Sequence, residues 1–298
     1  MTRGRVKKFL QQTPVVLDGG LGTELERRGI ATPAPLWSAS AIDAAPATLR
    51  EIHADFVQAG ADVIFANTFR VHAGILDRVN RASDGARLAA SAVRIARDAA
   101  GAVDREILVA ASLGPLADCY CPDETPDDAT LHEAHTRTGR WLAGANPDMV
   151  WLETMNTIRE ARSAAAAVHA NDLPLAVSFM LQEDGRLLGG DALRDAIEAV
   201  HEYHPVAIGL NCMPPSGISR WLPALSEFVG PTPVAAYAHV DNAVPLPGWH
   251  DAEFATPAEY AAFTRTWRHL GATILGGCCG TTPAHIAAIQ EGMRRSAE

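Results

Sequence analysis

Ala272-Thr273-Ile274-Leu275-Gly276-Gly277-Cys278-Cys279-Gly280 is an apolar, β-like run that ends in two adjacent cysteines set between glycines. A disulfide between neighbours would close a strained ring. Two thiolates leaving a strand end, however, can both reach one soft metal ion. Free cysteine also behaves as a small buried hydrophobe, so the pair alone leaves metal binding and simple burial both open.

Working outward, the same kind of run recurs along the chain, at 15–17, 62–65, 107–112, 149–152, 175–179, 206–210, 234–237 and 272–275. Between these runs lie alanine-rich segments with helical spacing. They cover 46–59, 84–100, 127–143, 157–169, 191–203, 217–228, 257–270 and 283–294, and several open at proline or end at glycine. Alternation of this kind predicts βαβ units and a parallel sheet. Eight strand-helix pairs in 298 residues favour a single α/β domain over 1–298, a (β/α)8 TIM barrel, since such barrels take about 250 residues. An open doubly wound sheet is the alternative.

Composition narrows the function. Hydrophobic residues make up 48% and charged residues 20%, as in a globular protein. The formal net charge of −10 argues against nucleic acid as a partner, because phosphate binding relies on clustered lysine and arginine. No stretch approaches the ~18 apolar residues that span a bilayer. The basic start runs into Gln11-Gln12 and Thr13-Pro14 without an apolar core for secretion. The odd count of five cysteines then reads as reduced thiols in a cytoplasmic protein. The oligomeric state stays open.

A barrel places its reactive residues just after the strands. Asp18-Gly19-Gly20, Asn67-Thr68, Gly114-Pro115, Glu153-Thr154, Asn211-Cys212, Tyr237 with His239, and Cys278-Cys279 all stand there. Closure would bring Cys212 to the same rim as Cys278 and Cys279. Three thiolates around one point predict Zn²⁺ with a fourth position open for substrate. Such an electron-rich centre suits deprotonating a substrate thiol and keeping it nucleophilic, and a thiol with a pKa near ~8.5 needs that help at neutral pH. No further catalytic base is required. Asp18 and Glu153 are therefore read as recognising a substrate ammonium group, with general acid/base work and helix capping as the other readings.

The loop Gly19-Gly20-Leu21-Gly22 fails the dinucleotide pattern, since Leu25 stands where a third glycine belongs. Close backbone approach to a substrate fits it better. Cys119 and Cys121 are spare ligands, a redox pair or plain thiols, with no catalytic role expected. His239 reads as a structural histidine or a closing ligand. Trp37, Tyr120 and Trp249 are aromatic faces that could hold a cation or simply cover the core.

On Asp18-Gly19-Gly20-Leu21-Gly22-Thr23-Glu24-Leu25, Glu153-Thr154-Met155, Gly209-Leu210-Asn211-Cys212 and Gly276-Gly277-Cys278-Cys279-Gly280-Thr281-Thr282-Pro283, the chain resembles the zinc-dependent homocysteine S-methyltransferase family. That family includes betaine-homocysteine and S-methylmethionine-homocysteine methyltransferases and the homocysteine module of methionine synthase. The resemblance implies a (β/α)8 barrel with zinc on Cys212, Cys278 and Cys279 and homocysteine sulfur at the open coordination site. It also implies substrate contacts from Asp18, Thr68 and Glu153, with Gly19, Gly20 and Asn211 beside them. The expected partners are homocysteine and a small onium methyl donor: S-methylmethionine, S-adenosylmethionine or a betaine-like compound. Three segments depart from the family pattern: Gly280, where several members carry arginine; the loop Leu116-Ala117-Asp118-Cys119-Tyr120-Cys121-Pro122; and the seventh strand end, Tyr237-Ala238-His239-Val240-Asp241-Asn242. The two loop segments would face the donor, so its identity stays open, as does an acceptor thiol other than homocysteine.

Overall fold

The computed structural model describes residues 1–12, 14–240 and 255–295. Trp249 and the end of the 237–242 segment lie outside these. Eight strands form one parallel sheet: β1 (Val15–Val16), β2 (Val63–Ala66), β3 (Leu108–Leu113), β4 (Met149–Met155), β5 (Leu175–Phe179), β6 (Ala207–Asn211), β7 (Val234–Ala238) and β8 (Ile274–Gly277). Their spatial order is β1-β8-β7-β6-β5-β4-β3-β2. The two ends of that order meet, because Leu17 bridges Val63 in parallel and Asp62 N and Asp18 N donate across the seam to Val16 O and Val63 O. The expected barrel is the observed fold.

Alternating residues face opposite sides of each strand, and the packing follows from that. Leu17, Leu108, Ala110, Met149, Trp151, Ala176, Ala207, Ala235 and Tyr237 fill the inside of the barrel. Their neighbours Val109, Ala111, Val150, Leu152, Val177 and Ile208 pack outward against the helices. Inside, Phe65, Trp151 and Tyr237 form an aromatic cluster with ring centroids 5.4 to 6.1 Å apart. Edge-to-face contacts of this kind fix ring positions as well as burying area.

The helices end where the chain's chemistry stops them. The helix Pro257–His269 starts with proline behind a capping box between Thr256 and Glu259. The helix Pro46–Ala59 stops at Gly60, whose φ of 112° suits a residue without Cβ. The helix over Leu193–His201 is shorter than the expected 191–203, because the Asp191 carboxylate instead accepts from Ile158 N and caps the helix before it. Among the described residues four α-helices lie outside the eight expected segments: Leu21–Arg27 after β1, the short Ala41–Ala44 and Ala73–Arg78, and Arg3–Leu10, whose buried Val6 and Leu10 join the inner core. Among the described residues no helix is long and apolar enough to cross a membrane.

Candidate metal centre and thiol site

A cavity of about 380 Å³ opens where the strands end in β1, β2, β4, β6 and β8, and Gly20, Trp37, Tyr120, Glu153, Cys212 and Cys279 are among its lining residues. Its sulfur-rich wall is assembled by the backbone. Cys212 N donates to Tyr237 O, His239 N to Met213 O, Cys278 N to Ala238 O and Val240 N to Cys279 O, at 2.9 to 3.2 Å. These bonds staple the ends of β6, β7 and β8 together. Tyr260 supports the same junction, donating to Gly276 O at 2.8 Å and accepting from Ala238 N.

The ligand atoms of Cys212, His239 and Cys279 all lie within 4.8 Å of one another, and among the described residues this is the group able to hold a metal ion. Cys278, the third cysteine expected as a ligand, is not a member of that group, although it lines the same cavity and its thiol interacts electrostatically with those of Cys212 and Cys279. Of the two readings the sequence leaves open for His239, a structural histidine or a closing ligand, the structure places it as a ligand candidate. Its place depends on how the chain turns after β7, which no local pattern reveals. Three thiols and an imidazole are a donor set that suits a borderline-soft ion. Hydrogen bonds from Cys278 and Cys279 hold the Cys212 thiol well below its usual range, while those from Cys212 raise Cys278. The Tyr120 hydroxyl stands 3.5 Å from Cys212 Sγ, so this aromatic residue meets the cluster through its oxygen.

The carboxylates take different positions. Glu153 lines the cavity, and Ser112 Oγ donates to it. Burial pushes its carboxyl up to about 7. Asp18 is fully buried. Its carboxylate accepts from Phe65 N at 2.9 Å, burial holds it well above the carboxylate range, and the cavity wall beside it is Gly19 and Gly20. Neither acid caps a helix. The helix Leu21–Arg27 has no side-chain cap, and Ile158–His169 is capped by Thr157.

Thr68 is buried and donates to Ser112 O at 2.7 Å. Gly20 lies so close to the metal-side turn that a Cβ there would meet Cys278 O at 2.8 Å, which explains its lack of a side chain. Asn211 uses its amide on Thr154. Cys119 lines the cavity, and its buried thiol is pushed well above the usual range by burial, whereas Cys121 is exposed. The guanidinium of Arg70 lies 3.8 Å over the Trp37 ring, so a cation of the protein itself already covers one face of that ring.

Glu153 gives the metal-free protein a pH-dependent stability. Its folded pKa exceeds the unfolded value, so its contribution is full below about pH 4 and is lost as pH rises through 7, by at most about 3 kcal/mol. Asp18 acts in the same direction. The urea midpoint of the metal-free protein is expected to fall from pH 5 to pH 8, and Glu153→Gln to flatten part of that fall. A variant with unchanged pH dependence contradicts the assignment.

Residues 15–293 match the family model described as homocysteine S-methyltransferase. The chain is similar to the homocysteine S-methyltransferase of Escherichia coli (strain K12), 32% identical with 94% of this chain and 95% of that one covered. It is also similar to homocysteine S-methyltransferase 4 of Zea mays, 29% identical with 98% and 94% covered. In three dimensions it superposes on the metallated form of the E. coli homocysteine methyltransferase MmuM with a TM-score of 0.83, at 28% identity over 96% of this chain and 99% of that one. A match of this extent covers all eight strands and every side chain of the sulfur-lined wall, and the chain belongs to the homocysteine S-methyltransferase family.

Proposed function

We propose that the protein is a zinc-dependent S-methyltransferase that moves a methyl group from a small onium donor to the sulfur of homocysteine, giving methionine, and that it does so in the cytoplasm as one barrel domain over residues 1–298. The observation that carries the reading is the meeting of Cys212, from the end of β6, with Cys279 and Cys278, from the end of β8, on one wall of a cavity that Glu153 enters from β4. Cys212, Cys278 and Cys279 would hold the ion. Zinc bound there would keep an incoming thiol as its thiolate at neutral pH.

The chain's own residues bind and align. Glu153, held by Ser112, offers a carboxylate to the substrate ammonium. The thiolates and Glu153 make the cavity negative, which draws S-methylmethionine, S-adenosylmethionine or a betaine-like cation ahead of a neutral donor. Holding sulfur, methyl carbon and leaving group in line supplies much of the rate enhancement. Phe65, packed against Trp151 and Tyr237, adds an apolar ring to the cavity wall.

A second reading has its own observation. His239 stands beside Cys212 and Cys279, and three cysteines with one histidine are also the ligands of closed, structural zinc sites. Chelation separates the two. A substrate-binding site loses transfer activity with the barrel intact, whereas a structural site unfolds on metal removal. The zinc-loaded protein is expected to methylate homocysteine from at least one of the three donor types, and the chelated protein to stay folded and inactive. Full activity in metal-free protein refutes the proposal.

A further inference from the structure

Two residues of the site have backbone angles that side chains with a branched or bulky Cβ avoid: Thr154 with φ 57° and Cys212 with φ 56°. Thr154 occupies a break in register. Leu152 pairs with Val177 and Met155 with Phe179, so β4 carries one residue more than β5 between those pairs. A bulge of this kind re-aims side chains, and here Glu153 is one of the two bulged residues.

The bulge is locked from β6, which is not a neighbour of β4 in the sheet. Asn211 reaches across β5. Its Oδ1 accepts from Thr154 N at 2.9 Å, and its Nδ2 donates to Thr154 Oγ1 at 3.0 Å. Both residues are buried, so water does not compete for these bonds. Thr154 directly follows Glu153, and Asn211 directly precedes Cys212. The two hydrogen bonds therefore tie the peptide carrying the ammonium-side carboxylate to the peptide carrying a metal-side thiol.

We infer that Asn211 and Thr154 form a specificity-determining brace, which fixes the span between Glu153 and Cys212 and thereby the length of amino-acid thiol that reaches both. The inference rests on the homocysteine reading of the site. Homocysteine and cysteine share an ammonium and a thiol and differ by one methylene between them. An apolar wall alone discriminates one methylene by about 10- to 200-fold. A site that grips both ends does so only if the ends keep their distance. Asn211 and Thr154 act through their neighbours and are positioning residues.

The test is calorimetric titration of the zinc-loaded protein with L-homocysteine and with L-cysteine, checking zinc content after each run, for wild type, Thr154→Ser and Thr154→Val. Wild type is expected to bind homocysteine more tightly than cysteine. Thr154→Val keeps the branched shape but removes Oγ1, and should lower the homocysteine-to-cysteine affinity ratio at least threefold. Thr154→Ser should retain it. Thr154→Gly accepts the left-handed backbone without strain and loosens the bulge, so it gives the same readout if the valine variant does not fold. Variants that weaken both thiols equally, or keep the wild-type ratio, overturn the brace. A wild-type protein that binds neither thiol overturns the homocysteine reading and the brace with it.

Discussion

Replacing Cys212 by serine is expected to release the metal and to lower kcat/KM for homocysteine methylation by more than about a hundredfold, since loss of even an outer partner of a metal ligand costs about 10- to 100-fold. Cys212 belongs to the group that can hold the ion, with Cys279 and His239, and meets the Tyr120 hydroxyl, and serine offers a shorter, harder and far less acidic oxygen in its place. Metal content by mass spectrometry should fall in step with activity. The fold should survive, because the strand ends are held by the backbone bonds of Cys212, His239, Cys278 and Val240, which the substitution leaves in place. A Cys212→Ser protein with full metal content and wild-type activity would contradict the metal-centre assignment.

Glu153→Gln is expected to raise the KM for homocysteine by about a hundredfold or more with metal content unchanged. Deleting one partner of a buried ion pair costs about 3–5 kcal/mol, and each 1.4 kcal/mol is tenfold in binding. Glutamine keeps the size and the Ser112 contact but not the charge. The same carboxyl, pushed up to about 7, must lose its proton to pair with an ammonium, so homocysteine affinity should drop as pH falls below 7 in wild type and much less in the variant. A KM within about threefold of wild type would move ammonium recognition elsewhere, with Asp18 the next group to test.

The strands were legible because a parallel barrel strand is buried on both faces and so reads as a short apolar run. Where a strand carries function, the reading stopped early. The run expected at 149–152 continues as β4 to Met155, because Glu153 and Thr154 form a bulge rather than a turn. The helix Arg3–Leu10 escaped notice for a different reason: Val6 and Leu10 have helical spacing, but their meaning depends on a barrel core for them to join. The cysteines could be brought together from topology alone, since the end of every parallel strand lies on one rim. Second partners could not. Asn211 reads as a substrate contact, and it lines the cavity, but no local pattern shows that its amide also engages Thr154, 57 residues away. His239 and Tyr120 reach the sulfur cluster through loop geometry, and Arg70 stacks on Trp37 from a segment with no signal beyond being polar after a strand. Ser112 offered a fainter clue, a hydroxyl inside the apolar run that ends β3.

The measurement that bears most directly on the account is zinc-edge X-ray absorption of the zinc-loaded protein before and after addition of homocysteine. The account predicts that the thiol adds one sulfur neighbour to the metal, giving four, and that the added scatterer disappears in favour of nitrogen or oxygen when a non-thiol amino acid of the same length is used instead. A sulfur count that does not change on adding homocysteine would contradict it.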